Sequence, residues 1–154
     1  MFLIRNIEID TQTQEGKEIF GNYYEQKLYN YLKNNSKYKY EMLTNENKYS
    51  LYDFKAEENN KIRIIELRSR IGIIDNYKYE IFHVEKFNKL IELFKNPEII
   101  EIMLIFCHVK QNNYKDYKFY YIDIKDIKPN DLNINSKFGK DMYEIPTKLL
   151  KVFE

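Results

Sequence analysis

Tryptophan is absent from these 154 residues, and cysteine occurs once, at Cys107, inside the apolar run from Ile102 to Val109. A lone cysteine excludes an intramolecular disulfide and a cysteine-built metal site, which fits a reducing compartment. Runs of 18 apolar residues are missing as well, and Met1-Phe2-Leu3-Ile4 meets Arg5, Glu8 and Asp10 at once. Neither a membrane-spanning helix nor a signal peptide is therefore expected. Charge of one sign is not in excess: 25 basic and 24 acidic side chains leave a formal net charge of +1, which neither demands nor excludes a polyanionic partner. The expected setting is intracellular, cytoplasmic or nuclear.

What is present has a globular balance, with 44% hydrophobic and 32% charged residues, enough apolar area to offset the entropy of ordering. The length suits one domain, residues 1–154. The 15 Tyr and 10 Phe accompany many Asn, Lys and Ile, a skew that points to an AT-rich coding sequence rather than to a function.

Residues 2–9 alternate enough for a short strand or arm, and Thr11 to Gln14 offers a helix cap. From Glu15 to Lys33, Ile19, Phe20, Tyr23, Tyr24, Leu28, Tyr31 and Leu32 recur at helical spacing until Asn34-Asn35-Ser36 ends the pattern. The Tyr positions on that stripe are packing residues. Three strands, Tyr38 to Leu43, Ser50 to Ala56 and Lys61 to Ser69, are separated by Asn-rich breaks at 45–47 and 59–60 and read as an antiparallel meander. Val84 to Lys95 is a second helix stopped by Pro97, Ile99 to Val109 a strand buried on both faces, and Lys118 to Ile124 its alternating neighbour. After Pro129, the Asn-rich residues 130–135 and Gly139, the chain closes with Tyr143 to Ile145 and a short apolar helix, Thr147 to Phe153. The pattern predicts an α/β (α+β) class: a mixed central sheet with flanking helices.

The chemistry concentrates between Leu51 and Arg68. Asn tolerates positive φ, so Asn59-Asn60 suits a two-residue turn that pairs Glu58 with Lys61. Counting outward from that pair sets Asp53 opposite Glu66. Directly opposed residues have Cβ atoms about 4.5–5.5 Å apart, so two carboxylates there repel unless a cation lies between them. A hard divalent ion, Mg²⁺ or Mn²⁺, answers that demand, and it can hold a phosphate oxygen and water at the same time, as phosphodiester hydrolysis requires. Arg68, two residues beyond Glu66, points from the same sheet face. An Asp and a Glu on neighbouring strands can equally pair with Lys or Arg.

This pattern resembles the PD-(D/E)XK nuclease superfamily, whose motif sets an acid on one strand and an acid, any residue and Lys on the next. Asp53 matches the first acid and Glu66 the second. The string Ile65-Glu66-Leu67-Arg68-Ser69-Arg70, and Tyr143-Glu144-Ile145-Pro146 before a closing segment, are similar to small phage and large-virus members, over roughly residues 20–150. The resemblance implies a restriction endonuclease-like core, Asp53 and Glu66 as metal ligands, and Glu25, on the first core helix, as an additional acid. It also implies an endonuclease or resolvase-like activity on DNA. Arg68 stands where the family has Lys. Arginine keeps its proton at any relevant pH and is a poor base, but it can orient water or stabilise developing charge. The substitution bears on cleavage more than on fold or metal binding, and Lys55 is an alternative source of the missing amine.

Arg63, Arg68, Arg70, Lys78, Lys86 and Lys89, interleaved with Tyr77 and Tyr79, form a candidate phosphate-contacting surface, in which Lys55, Arg70, Lys78 and Lys86 are taken as nucleic-acid contacts. A merely solvated face is the plainer alternative. His83 and His108 make no zinc pattern, and His108 is expected to be a satisfied strand histidine. The competing function is a catalytically inactive nuclease-fold module that binds nucleic acid or protein as a subunit of a viral or phage complex. A homodimer is compatible with either role.

Overall fold

The first helix begins where the sequence supplies a cap. Thr13 Oγ1 accepts from the Gly16 N–H at 3.0 Å and donates to the Asp10 carbonyl at 2.8 Å, so one of the N-terminal donors of the helix is capped. Gly16 is required there, because a Cβ at this position would lie 1.8 Å from the Asp10 carbonyl oxygen. The computed structural model describes residues 2–43 and 50–153. In chain order these form β1 (Phe2–Ile4), β2 (Ile7–Ile9), α1 (Gln14–Asn35), β3 (Glu41–Met42), β4 (Phe54–Glu58), β5 (Lys61–Ile71), β6 (Tyr79–His83), α2 (Val84–Glu92), β7 (Ile99–Val109), β8 (Tyr117–Asp123), β9 (Asn133–Asn135), β10 (Met142–Pro146) and β11 (Lys151–Val152). The break expected at 45–47 lies outside the described residues.

The fold is mixed α/β. A six-stranded sheet runs β11-β8-β7-β5-β4-β3, parallel only between β5 and β7 and antiparallel elsewhere. The segment between β5 and β7 holds β6 and α2, and β6 joins β10 and β9 in a separate three-stranded antiparallel sheet. The meander expected for β3, β4 and β5 is present, with shorter first members than expected.

Side-chain alternation along β5 and β7 divides the core in two. Ile65, Leu67, Ile105, Cys107 and Val109 face α1, whose Phe20, Tyr24, Leu28 and Leu32 recur every fourth residue. Ile64, Ile102, Leu104 and Phe106 face the opposite way, toward Phe87 and Leu90 of α2 and Ile145 of β10. β7 is thus buried on both faces, as its unbroken apolar run predicts. Ile19, assigned to the stripe of α1, is instead 44% exposed.

The closing helix expected over Thr147 to Phe153 is not formed. One 3-10 turn, Thr147–Leu149, leads into β11, which pairs with the edge of β8. Phe153 donates its N–H to the Phe119 carbonyl at 2.8 Å and packs its ring against Tyr31 and Tyr121. The tail therefore gains ladder hydrogen bonds along an otherwise open edge strand, which outweigh the local helical pattern. β6 has no counterpart in the sequence reading.

Candidate active site

The hairpin that positions the acids is fixed by its turn. Asn59 and Asn60 both adopt positive φ, 52° and 61°, as a two-residue hairpin turn requires. The ladder then runs from Glu58 opposite Lys61 to Phe54 opposite Ile65. Asp53 lies one residue before β4 and closes this ladder on Ile65 rather than squarely opposite Glu66. Its N–H donates to the Ile65 carbonyl at 3.0 Å, and its own carbonyl accepts from the Leu43 N–H at 2.8 Å. Its side chain turns to β5, where Oδ2 accepts from the Leu67 N–H at 2.8 Å. Three backbone groups therefore hold one aspartate.

Glu66 sits beside it, 3% exposed against 8% for Asp53. Burial raises the Asp53 carboxyl above its ordinary range, opposed by the Leu67 N–H, Lys86, a hydrogen bond from Glu25 and Arg68. Burial likewise pushes Glu66 up to about 8; the Asp53 charge adds to the rise, and Lys86 and Arg68 oppose it. Two buried carboxyls in each other's field resist ionising together. α1 contributes Glu25 to this group through its hydrogen bond to Asp53.

α2 supplies the cation. Lys86 Nζ lies 2.5 Å from Glu66 Oε1. Glu66 Oε2, in contrast, is buried without a hydrogen-bond partner among the described residues. An unpartnered carboxyl oxygen is costly in a protein interior, and a water or a bound ion would satisfy it. Arg68 projects from the same face of β5, its guanidinium 5.9 Å from the Phe82 ring centroid. Burial and then the Arg68 charge hold His83 below its ordinary range.

Among the described residues no three His, Cys, Asp or Glu side chains form a ready-made metal cage. The donor set is an acid pair, Asp53 and Glu66, with Glu25 bonded to one member. Two carboxylates with an unsatisfied oxygen suit a hard divalent ion that completes its shell with water and phosphate oxygen.

Arg68 is common to three neighbouring clefts. One, of about 630 Å³, includes Lys17, Arg70, Glu80 and Lys140; a second, of about 620 Å³, includes Glu25 and Arg70; a third, of about 420 Å³, includes His83, Lys86 and Lys89. Lys86 thus joins the third cleft to Glu66, and Arg70 shares the second with Glu25. Lys78 lines a separate cleft with Tyr77, Tyr120 and Lys148. Lys55 lies 3.7 Å from Glu57 on β4, and Arg63 pairs with Glu101 at 3.2 Å. His108 is satisfied within the strand layer, as expected, by the Gly72 carbonyl and Glu80.

Sequence reasoning placed Lys86 only among phosphate contacts and missed its bond to Glu66, Lys17 and Lys140 in the cleft, and Glu80 beneath Arg70. Its one usable signal was the alternation of Glu66, Arg68 and Arg70 along β5. Against known proteins, the chain matches no family model and no curated sequence.

Proposed function

We propose that this chain is a Mg²⁺- or Mn²⁺-dependent hydrolase of DNA phosphodiesters, an endonuclease or resolvase-like protein of the PD-(D/E)XK type with a restriction endonuclease-like core. The observation that carries the proposal is the buried pair Asp53 and Glu66, one oxygen unpartnered among the described residues, set against Lys86 and Arg68.

Asp53 and Glu66 hold the ion, Asp53 being oriented by the Leu67 N–H. A divalent ion there supplies Lewis-acid polarisation of a phosphate oxygen and a more acidic bound water. Lys86 takes the place of the motif lysine that Arg68 does not reproduce. Its ammonium is held against Glu66 from α2 and donates to a carboxylate oxygen, a position from which it can orient the attacking water. Arg68 stays charged and offers a planar fork of donors to the phosphate. Glu25 positions Asp53 through their shared hydrogen bond.

Plasmid and branched DNA incubated with Mg²⁺ or Mn²⁺ test the proposal. Cutting by the wild type that disappears in both Asp53→Ala and Lys86→Ala supports it. A second reading, an inactive nuclease-fold module in a viral or phage complex, is favoured by Arg68 in place of Lys. It predicts binding without cutting, with cleavage gained in Arg68→Lys.

A further inference from the structure

Behind Arg70 lies a buried network that the hydrolytic site does not use. Glu80 and His108 are 2% and 3% exposed, although both carry ionisable groups. His108 Nδ1 lies 3.0 Å from the Gly72 carbonyl oxygen, and Nε2 contacts Glu80 Oε1. A carbonyl only accepts, so Nδ1 carries a proton. The contact between Nε2 and the carboxyl oxygen holds another. Glu80 is thus shared: Oε1 meets His108 and Oε2 faces Arg70.

Arg70 is the third member. Its Nη1 donates to Glu80 Oε2 at 3.3 Å, and its guanidinium lies 3.5 Å from the Tyr77 ring centroid. The Tyr77 hydroxyl is in turn fixed by the Ile71 carbonyl at 2.7 Å. Among the described residues Arg70 reaches Glu80 through Nη1 alone, and His108 takes the other oxygen of that carboxyl, so the remaining N–H groups of the guanidinium are left for an external anion. One edge and one face of the guanidinium are occupied, and the side chain, 31% exposed, borders two of the clefts shared with Arg68.

Spacing along β5 says which anion. Glu66, Arg68 and Arg70 share one face, and alternate residues of a strand stand about 6.6 Å apart. That step is close to the separation of successive phosphates in an extended nucleic-acid strand. We propose that Arg70 is a socket for the phosphate next to the one held over Glu66 and Arg68, with Glu80, His108 and Tyr77 as the residues that position it. The socket rests on the hydrolase reading and specifies its substrate as a strand bound through at least two consecutive phosphates.

The test is competition against a fluorescein-labelled oligodeoxynucleotide by thymidine 5′-monophosphate and by thymidine 3′,5′-bisphosphate, with salt dependence measured in parallel. Wild type should prefer the bisphosphate about tenfold, and Arg70→Ala should lose that preference and lower the slope of log affinity against log salt by about one. Arg70→Lys should restore the slope but not the preference, because the charge returns without the fork. Glu80→Gln should keep the slope and weaken the preference. If Arg70→Ala retains both preference and slope while Arg68→Ala loses affinity, the socket is refuted and the hydrolase reading stands. If wild type binds no oligonucleotide, the nucleic-acid reading fails and the socket with it.

Discussion

Two buried charged groups lie beneath the face of β5 that carries Glu66, Arg68 and Arg70, and they have been settled differently. In the network of Glu80, His108 and Arg70, both carboxyl oxygens of Glu80 and both ring nitrogens of His108 have partners. In the pair Asp53 and Glu66, two acids are driven together, one oxygen has no partner among the described residues, and burial holds both carboxyls above their ordinary range. Glu66 and Glu80 are almost equally buried, so burial alone does not separate them. The difference is completeness. The chain satisfies Glu80 and His108 from its own residues, which stabilises the contact between β6 and the main sheet, and leaves only Arg70 facing the clefts. The acid pair keeps one carboxyl oxygen without a partner among the described residues, which the proposed ion would complete.

The largest expected consequence concerns activity. On the proposed function, Asp53→Ala should reduce DNA cleavage by a factor on the order of a thousand, several kcal/mol of transition-state stabilisation, measured as plasmid nicking with Mg²⁺. Its melting temperature should change much less than its activity.

The satisfied network should show the reverse. Glu80→Ala leaves His108 and Arg70 without their acceptor, and removing one partner of a buried ionic group costs about 3–5 kcal/mol, read by chemical denaturation. A loss near zero would mean that the two groups do not differ as described.

Smaller, and of opposite sign, is the effect of Glu66→Gln on the metal-free protein. The carboxyl of Glu66 has an ordinary value of 4.5 and is raised to about 8 by burial, so the folded state holds its proton more tightly than the unfolded state. Its contribution to stability is full below about pH 4.5 and is lost as pH rises through about 8. Glu66→Gln removes this decline, so the fall in stability that wild type shows between about pH 4.5 and 8 should be absent from the variant. Melting curves across that range measure it.

Much of the site geometry was legible in the sequence because it is local. Asn59-Asn60 sets the turn, the turn sets the register, and alternation sets Glu66, Arg68 and Arg70 on one face. β7 was legible as an unbroken apolar run. The sequence said little where partners are distant or where polarity is hidden. Lys86 reaches Glu66 from a helix 20 residues on, a distance that no periodicity encodes. β6 alternates with Glu80 and Phe82 inward, and the buried acid disguises the apolar face until His108 is known to lie against it. β11 follows a pattern that reads as helix, and only the open edge of β8 decides otherwise.

Titration calorimetry of Mn²⁺ into the metal-free protein tests the acid pair most directly. Wild type should bind with a release of protons that diminishes as the pH approaches 9, and Asp53→Ala and Glu66→Gln should each lose the binding while remaining folded. Binding of equal affinity in wild type and both variants, or no binding by wild type at any pH, would contradict a cation site between Asp53 and Glu66.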